Sequence, residues 1–174
     1  MIDGFVLAGG RSRRMGTDKA LMTIQGQSMA DAMAKKLLIA GCSRVSLIRK
    51  EHTMGNFTTK VVWDWFDDYH PLYGLYCAQH YSKTKYVIIT PCDLPCLSVQ
   101  TIQRLLAAPK PVIVANQPLL GVFPVSWKNK TLAFARQGHR SFTYTESCHV
   151  IHCDPKEQKN VNYLRDFGEI YDDD

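Results

Sequence analysis

Long apolar runs are missing from this sequence, which excludes a membrane-spanning helix because about 20 consecutive apolar residues are needed to cross hydrocarbon. The first apolar run, residues 2–7, carries Asp3 and has no basic residue ahead of it. We therefore expect no secretory signal peptide and a cytoplasmic location. Internal repeats and low-complexity linkers are absent too. The 174 residues, 45% of them hydrophobic, predict a single domain at residues 1–174.

The cysteines form neither a disulfide framework nor a zinc motif. Six cysteines are scattered through predicted helices and strands, and without an export signal they predict reduced thiols. In CHVIHC, residues 148–153, successive side chains of a strand would point to opposite faces, so four zinc ligands could not converge and we interpret the segment as a core strand. Cys92 and Cys96 flank Asp93, but the two prolines and the lack of a nearby basic partner argue against a redox pair. A nucleophilic cysteine would also need a base, and none is identifiable.

Positive charge is in small excess and is placed unevenly. The formal net charge is +5, and much of the excess lies at Arg11, Arg13, Arg14 and Lys19. A cluster of this kind favours a small polyanionic ligand, whereas nucleic-acid binders more often carry a basic stripe with interleaved aromatics. We therefore expect neither nucleic acid nor membrane as a partner.

Short β-rich runs alternate with segments of helical period. The predicted strands are residues 2–7, 45–49, 61–63, 86–90, 112–115 and 150–153. The predicted helices follow N-caps at Ser28 and Ser98, begin at Pro71, and occupy 126–138, and the first of them ends at Gly41. This alternation predicts an α/β fold, a three-layer α/β/α sandwich around a mostly parallel sheet.

Three chemically unusual segments, residues 8–19, 64–74 and 91–95, each follow a predicted strand. In open α/β sheets, ligands bind outside the carboxyl ends of the strands. We therefore expect these segments to lie along one rim of the sheet and to form the site.

The first of these segments lies within LAGGRSRRMGTDKAL, which combines glycines with cations. Gly9 and Gly10 allow the backbone to approach a phosphate and to point amides at it. Arg11, Arg14 and Lys19 can then neutralise a triphosphate. Neither the P-loop nor the dinucleotide fingerprint fits, because Gly-Lys-Ser/Thr is missing and two of the glycines are adjacent. An exposed basic turn with solvated arginines is the alternative.

Carboxylates follow two of the strands. Asp93 lies between prolines after an apolar strand, a rigid position for an oxygen ligand of a hard cation such as Mg²⁺. A helix cap or a turn aspartate is the alternative at this position. Asp64 could accept hydrogen bonds from ribose hydroxyls or from the N1 and N2 donors of guanine, or it could be a solvated turn acid beside Asp67 and Asp68.

The segment 7–21 matches L-A-G-G-x-S-x-R-M-G-x-D-K-A-L at every fixed position, and residues 91–95 match a second motif, P-C-D-x-P, centred on Asp93. In these motifs the chain resembles the MobA-like NTP transferase family, above all its molybdenum cofactor guanylyltransferases. The resemblance implies a nucleotide-diphospho-sugar transferase fold of GT-A, Rossmann-like type. It also implies Mg²⁺-dependent transfer of GMP from GTP to a molybdopterin-type phosphate acceptor, with release of pyrophosphate. Transient cofactor-delivery proteins are further expected partners, and we expect a monomer.

The resemblance implies roles for individual residues as well. Arg14, Lys19 and Asp93 are expected to be catalytic. The nucleotide is expected to contact Leu7, Ala8, Gly9, Gly10, Arg11, Lys19, Asp64 and Asp93. Asp93 is the expected Mg²⁺ ligand, joined by Asn162.

The sequence departs from the family pattern in several places. In VSLIRKEH, Arg49 or Lys50 takes the place of an asparagine. This difference leaves open whether the base of the nucleotide is guanine or cytosine. His70 replaces a glycine, and the family's N-x-N-T-P reads NVNYL. The alternatives are a cytidylyl or sugar-phosphate nucleotidyltransferase on the same fold, or a non-catalytic nucleotide-binding regulator. The presence of both Lys19 and Asp93 argues against the regulator.

Overall fold

The computed structural model describes residues 1–9, 18–50, 55–161 and 166. The strands are β1 (Asp3–Leu7), β2 (Thr23–Ile24), β3 (Gln27–Ser28), β4 (Val45–Lys50), β5 (Val61–Asp64), β6 (Tyr86–Pro91), β7 (Val112–Val114), β8 (Gln117–Pro124) and β9 (His149–Ile151). The helices are α1 (Met29–Ala40), α2 (Pro71–Tyr81), α3 (Val99–Ala107), α4 (Lys128–Arg136) and α5 (Ser141–Thr145). Short 3₁₀ turns lie at Lys19–Leu21, Val125–Trp127 and Pro155–Gln158. No helix in these described ranges has the length and apolar character that crossing a membrane requires.

Seven of the strands form one sheet in the order β5-β4-β1-β6-β8-β7-β9, and β2 and β3 form a separate hairpin. β1 pairs in parallel with β4 and β6, β4 with β5, and β7 with β9. β8 runs antiparallel to both of its neighbours, β6 and β7. The prediction of a mostly parallel sheet is therefore confirmed, with β8 as the antiparallel member.

Helices cover both faces of this sheet, which confirms the three-layer α/β/α sandwich. Successive residues of β1 face opposite layers, so Val6 packs in the cluster that contains α1 and α3, and Phe5 packs in the cluster that contains α2 and α4. Leu47 and Ile48 of β4 alternate in the same way. The same alternation sends the last residues of each strand to a defined side of the sheet.

Local sequence determines where several helices begin and end. Ser28 accepts a hydrogen bond from the backbone N–H of Asp31 at 3.0 Å, and Ser98 accepts one from Thr101 at 3.1 Å, so both predicted N-caps are confirmed. α1 ends at Gly41, whose φ of 112° lies in the left-handed region that favours glycine.

The far side of the sheet differs from the predictions. β9 pairs with β7 at the sheet edge, and half of the Val150 surface is exposed, so the interpretation of residues 148–153 as a core strand is wrong. The alternation also did not predict the direction of β8. Two residues, Ala115 and Asn116 (φ 61°), connect β7 to β8, and so short a connection forces an antiparallel hairpin. The hairpin of β2 and β3 and the short helix α5 were not predicted.

A buried carboxylate holds the amino end of β1. Asp3 accepts hydrogen bonds from Arg44 Nη2 at 2.8 Å, Ser82 Oγ at 2.9 Å and the Lys83 backbone N–H at 3.2 Å. Burial acts to raise the pKa of Asp3, but these hydrogen bonds outweigh it and hold the pKa below its usual value of 3.8. The ionised carboxylate therefore favours the folded state.

We expect Asp3→Asn to lower the free energy of unfolding at neutral pH and to reduce its dependence on pH under acidic conditions. The contribution of Asp3 is fully present above the unfolded-state pKa, near 3.8, and is lost as the pH falls through the lower folded-state pKa. Urea unfolding at pH 7 and at several pH values below 4 measures both effects. Asp67→Asn, which changes an exposed aspartate, is the control. Equal acid dependence in the wild type and Asp3→Asn would contradict this assignment.

Candidate active site

A cavity of about 400 Å³ opens where the parallel strands β1, β4, β5 and β6 end. Its wall is formed by the ends of these strands, the turn at Lys19–Leu21, the start of α2 and Leu119 of β8. Residues from all three segments that were predicted to share a rim, 8–19, 64–74 and 91–95, line it. Their convergence is confirmed for the described residues.

The backbone after β1 forms the floor of this cavity. Ala8 N–H donates to Ile48 O at 2.9 Å, which continues the pairing with β4 beyond the end of the strand. A Cβ atom added at Gly9 would lie 3.1 Å from the backbone nitrogen of Lys50, tighter than most real contacts. The close approach of the two backbones therefore favours glycine at this position.

Lys19 and Asp93 meet at the cavity although 74 residues separate them in sequence. Lys19 opens the 3₁₀ turn at Lys19–Leu21, and its Nζ lies 3.5 Å from Asp93 Oδ2. Both side chains keep about a fifth of their surface exposed, at 20% and 18%. A cation and a carboxylate are thus positioned together, within reach of a ligand in the cavity.

The loop that carries Asp93 is held from two directions. The Asp93 carbonyl accepts a hydrogen bond from Val161 N–H at 3.0 Å. Lys36 of α1 donates through Nζ to Pro95 O at 2.5 Å and to Leu97 O at 2.8 Å. These contacts fix the backbone at Asp93 and in the residues that follow it, and they support a rigid position for Asp93.

Asp64 is a buried residue bonded to Lys50, and it is not the solvated turn acid that the sequence left as an alternative. The two residues are direct neighbours in the parallel pairing of β4 and β5, and Lys50 Nζ lies 3.1 Å from Asp64 Oδ2. Lys50 also donates to the carbonyls of Phe66 and Asp68, each at 2.7 Å. Asp64 Oδ1 accepts the Phe66 N–H at 3.1 Å. Lys50 therefore fixes both the carboxylate and the loop that follows β5.

Arg49 and Lys50 are site residues whose contacts the sequence did not predict. Lys50 lines the cavity, and the guanidinium of Arg49, 1% exposed, bonds Ala8 O and Asp18. The sequence signal that could have revealed them is the occurrence of two consecutive basic residues at the end of a buried strand. Neighbouring strand residues face opposite sides, so at least one of them had to be buried against a carboxylate or a carbonyl.

The imidazole of His70, which stands where the family pattern has glycine, is bonded on both sides. Its Nδ1 accepts from Leu72 N–H at 3.1 Å and caps α2, so the ring proton is on Nε2, which lies 3.0 Å from His139 O and donates to it. Tyr69 borders the same side of the cavity, with its ring centroid 4.8 Å from Lys50 Nζ. His70 therefore anchors the start of α2 beside the cavity.

Cys92 lines the cavity as a neutral thiol. Burial raises its pKa to about 12, and the nearby carboxylates of Asp93 and Asp18 act in the same direction. A thiol with such a pKa is not a nucleophile at neutral pH. All six cysteines are free in the structure.

Several residues with expected roles lie outside the described part of the chain, namely Gly10, Arg11, Arg14 and Asn162. Within the described part, the structure brings Leu7, Ala8, Gly9, Lys19, Asp64 and Asp93 to the one cavity. No group of three potential metal ligands gathers among the described residues. A cation bound by Asp93 would therefore take most of its ligands from a substrate, from solvent or from the rest of the chain.

Comparisons with known proteins agree with this geometry. The model of the MobA-like NTP transferase domain matches residues 4–150. A molybdenum cofactor guanylyltransferase of Shewanella loihica is 30% identical over 92% of this chain and 88% of its own length. The solved molybdopterin-guanine dinucleotide biosynthesis protein A of Archaeoglobus fulgidus superposes with a TM-score of 0.76 at 16% identity, covering 98% of this chain and 97% of that one. A Mycobacterium tuberculosis protein solved in complex with manganese superposes with a TM-score of 0.67 at 17% identity, over 99% of each chain.

We expect native Cys92 to react with iodoacetamide much more slowly than Cys96 at pH 8. Cys92 is buried and its pKa is raised to about 12, whereas Cys96 is only partly buried. A time course of alkylation, followed by peptide mass spectrometry, gives both rates, and the same course in 6 M guanidinium should bring them together. Equal rates in the native protein would show that Cys92 is accessible as a thiolate.

Proposed function

Since the chain belongs to the MobA-like NTP transferase family, we propose that it transfers GMP from GTP to the molybdopterin cofactor, forming molybdopterin guanine dinucleotide and pyrophosphate. The meeting of Lys19 and Asp93 at the end of the parallel strands carries this proposal. A protein that only binds a nucleotide needs a basic side chain for the phosphates. A carboxylate beside that side chain would repel the phosphates, unless the carboxylate holds a metal cation that the reaction uses.

In the proposed complex, the triphosphate lies over the turn after β1. The amides of Gly9 and Gly10 and the side chains of Arg11, Arg14 and Lys19 bind its oxygens, and Arg14 and Lys19 stabilise the departing pyrophosphate. The position of Gly9 against the β4 backbone and the placement of Lys19 across the cavity support this arrangement. The base and ribose lie toward Leu7, Ala8 and Asp64.

Asp64 gives the base-binding end a preference for guanine. Its Oδ1 accepts the Phe66 N–H and its Oδ2 forms an ion pair with Lys50, whereas a carboxylate offers about four acceptor sites in all. The remaining sites suit the adjacent N1 and N2 donors of guanine. Cytosine offers one amino group on that edge beside two acceptors, so it would leave the carboxylate with a poorer partner.

The metal in this proposal is Mg²⁺, held by Asp93 with Asn162 as a second contact. The donor set fits, because Mg²⁺ commonly uses one or two protein carboxylates and completes its shell with phosphate oxygens and water. The hydrogen bond from Val161 N–H to Asp93 O supports the role of Asn162, the next residue in the chain. When bound, the cation would neutralise charge on the phosphates.

The reaction needs no covalent intermediate with the protein. An oxygen of the acceptor phosphate attacks the α-phosphorus of GTP. The new P–O bond forms as the bond to the bridging oxygen breaks, and the electron pair leaves with pyrophosphate. A phosphate monoester is largely ionised at neutral pH, since its second pKa is about 6, so no general base is required. The residues of the site therefore act by positioning the substrates and neutralising charge.

The test is pyrophosphate release with purified molybdopterin cofactor and each of GTP, CTP, ATP and UTP in Mg²⁺ buffer. We expect release with GTP, dependent on acceptor, and the dinucleotide product by mass spectrometry. Faster release with CTP than with GTP would make the protein a cytidylyltransferase. Tight GTP binding without release for any acceptor would make it a nucleotide-binding regulator.

We expect Asp93→Asn to lower turnover by about a hundredfold or more, because it removes the carboxylate that holds the cation while keeping the size of the side chain. Weak GTP binding should remain. Steady-state pyrophosphate release and equilibrium GTP binding measure the two effects, with the exposed Glu146 changed to Gln as the charge-matched control. Turnover at the wild-type rate in Asp93→Asn would overturn the metal assignment.

A further inference from the structure

The Arg49 side chain joins the two described ends of the basic segment that contains residues 10–17. Its Nη1 donates to Ala8 O at 3.0 Å, just before that segment, and its Nη2 donates to Asp18 Oδ2 at 2.5 Å, just after it. The guanidinium also lies over the ring of Phe57, 4.7 Å from the centroid. One rigid, planar group thus bonds the described chain on both sides of residues 10–17.

Asp18 connects Arg49 to the next residue, Lys19. Its second oxygen, Oδ1, accepts the backbone N–H of Ala20 at 3.0 Å and so caps the 3₁₀ turn that Lys19 opens. Arg49 is 1% exposed and cannot shift without repacking, whereas the Asp18 side chain is 30% exposed. The position of Arg49 therefore determines that of Asp18, which in turn orients the turn that presents Lys19 to the cavity.

The charge on Asp18 makes this contact important for an anionic ligand. Asp18 lines the same cavity as Asp93 and Lys19, so the cavity holds two carboxylates close to the lysine. Without Arg49, the Asp18 carboxylate would repel a triphosphate and compete with it for Lys19. With Arg49 bonded to Oδ2, the two charges offset each other beside the phosphate-binding end of the cavity.

We propose that Arg49 is a positioning residue for the nucleoside triphosphate, acting through Asp18 and Lys19. The inference rests on the proposed function only in assuming that the cavity binds a nucleotide with its phosphates at Lys19. A purely structural role for Arg49 would stabilise the fold without any energetic coupling to Lys19.

The chain contains a matched control at the opposite end of β1. Arg44 pairs with the buried Asp3, with Nη2 2.8 Å from Oδ2, in a second arginine–aspartate contact beside β1. Loss of that contact should affect stability but not the cavity. Arg44→Met and Arg49→Met thus each remove an arginine–aspartate pair with one buried partner, the aspartate in the first and the arginine in the second, at opposite ends of β1.

The experiment is a double-mutant cycle on equilibrium binding of GTP with Mg²⁺, without acceptor, measured by calorimetry. We expect Arg49→Met to weaken binding about tenfold, and Arg44→Met to leave it unchanged. In a Lys19→Ala background, Arg49→Met should weaken GTP binding less than about threefold further. The lysine through which Arg49 acts is already missing there. Arg49→Lys keeps the charge but cannot bond Ala8 O and Asp18 in the same forked geometry, and it carries the same test if Arg49→Met does not fold.

Additive losses for Arg49→Met and Lys19→Ala, or wild-type affinity in folded Arg49→Met or in Arg49→Lys, would overturn the inference. If the wild type binds GTP but transfers GMP to no acceptor, the proposed function fails while the cycle still decides the role of Arg49. Absence of GTP binding by the wild type would overturn both.

Discussion

β1 and β6 run parallel and in register, with Leu7 beside Pro91, and the chemistry of the cavity depends on that pairing. Because both strands end at the same edge, Gly9 and the carboxylate of Asp93 emerge together. Cys92 N–H donates to Leu7 O at 3.2 Å and extends the pairing almost to Asp93. An antiparallel β6 would have placed Asp93 at the other end of β1, about 16 Å away for five residues at about 3.3 Å each.

Sequence patterns predicted the parts of the structure that short-range chemistry determines. Ser28 and Ser98 cap helices because a hydroxyl can reach an N–H three residues ahead, and Gly41 ends α1 because only glycine readily adopts its φ. The shared rim followed from one topological rule for parallel sheets. Strand order had no such local signal. The sequence therefore predicted Val150 as a core residue, although β9 lies at the edge of the sheet and half of the Val150 surface is exposed.

The ion pairs of the cavity could not be predicted, because each depends on register or on distant contacts. Lys50 meets Asp64 only because β4 and β5 pair with these two residues side by side. Arg49 reaches Asp18 across 31 residues, and Lys19 reaches Asp93 across 74. Together these three pairs place three cations and three carboxylates around a cavity proposed to bind a polyanion. Pairing lowers the repulsion among the cations before any ligand arrives.

Arg49 and Lys50, the two basic residues at the end of β4, form ion pairs on different sides of the cavity. Successive strand residues face opposite sides of the sheet, so Arg49 bonds Asp18 beside the turn of Lys19, while Lys50 bonds Asp64 and the loop after β5. In the proposed complex, the first side holds the phosphates and the second holds the base. A change at position 50, one of the two positions that stand in the place of the family's asparagine, therefore alters the surroundings of the base without breaking the contacts of Arg49. The backbone at Gly9 lies against the β4 backbone between these two sides, so phosphate binding and base selection share one support but use separate side chains.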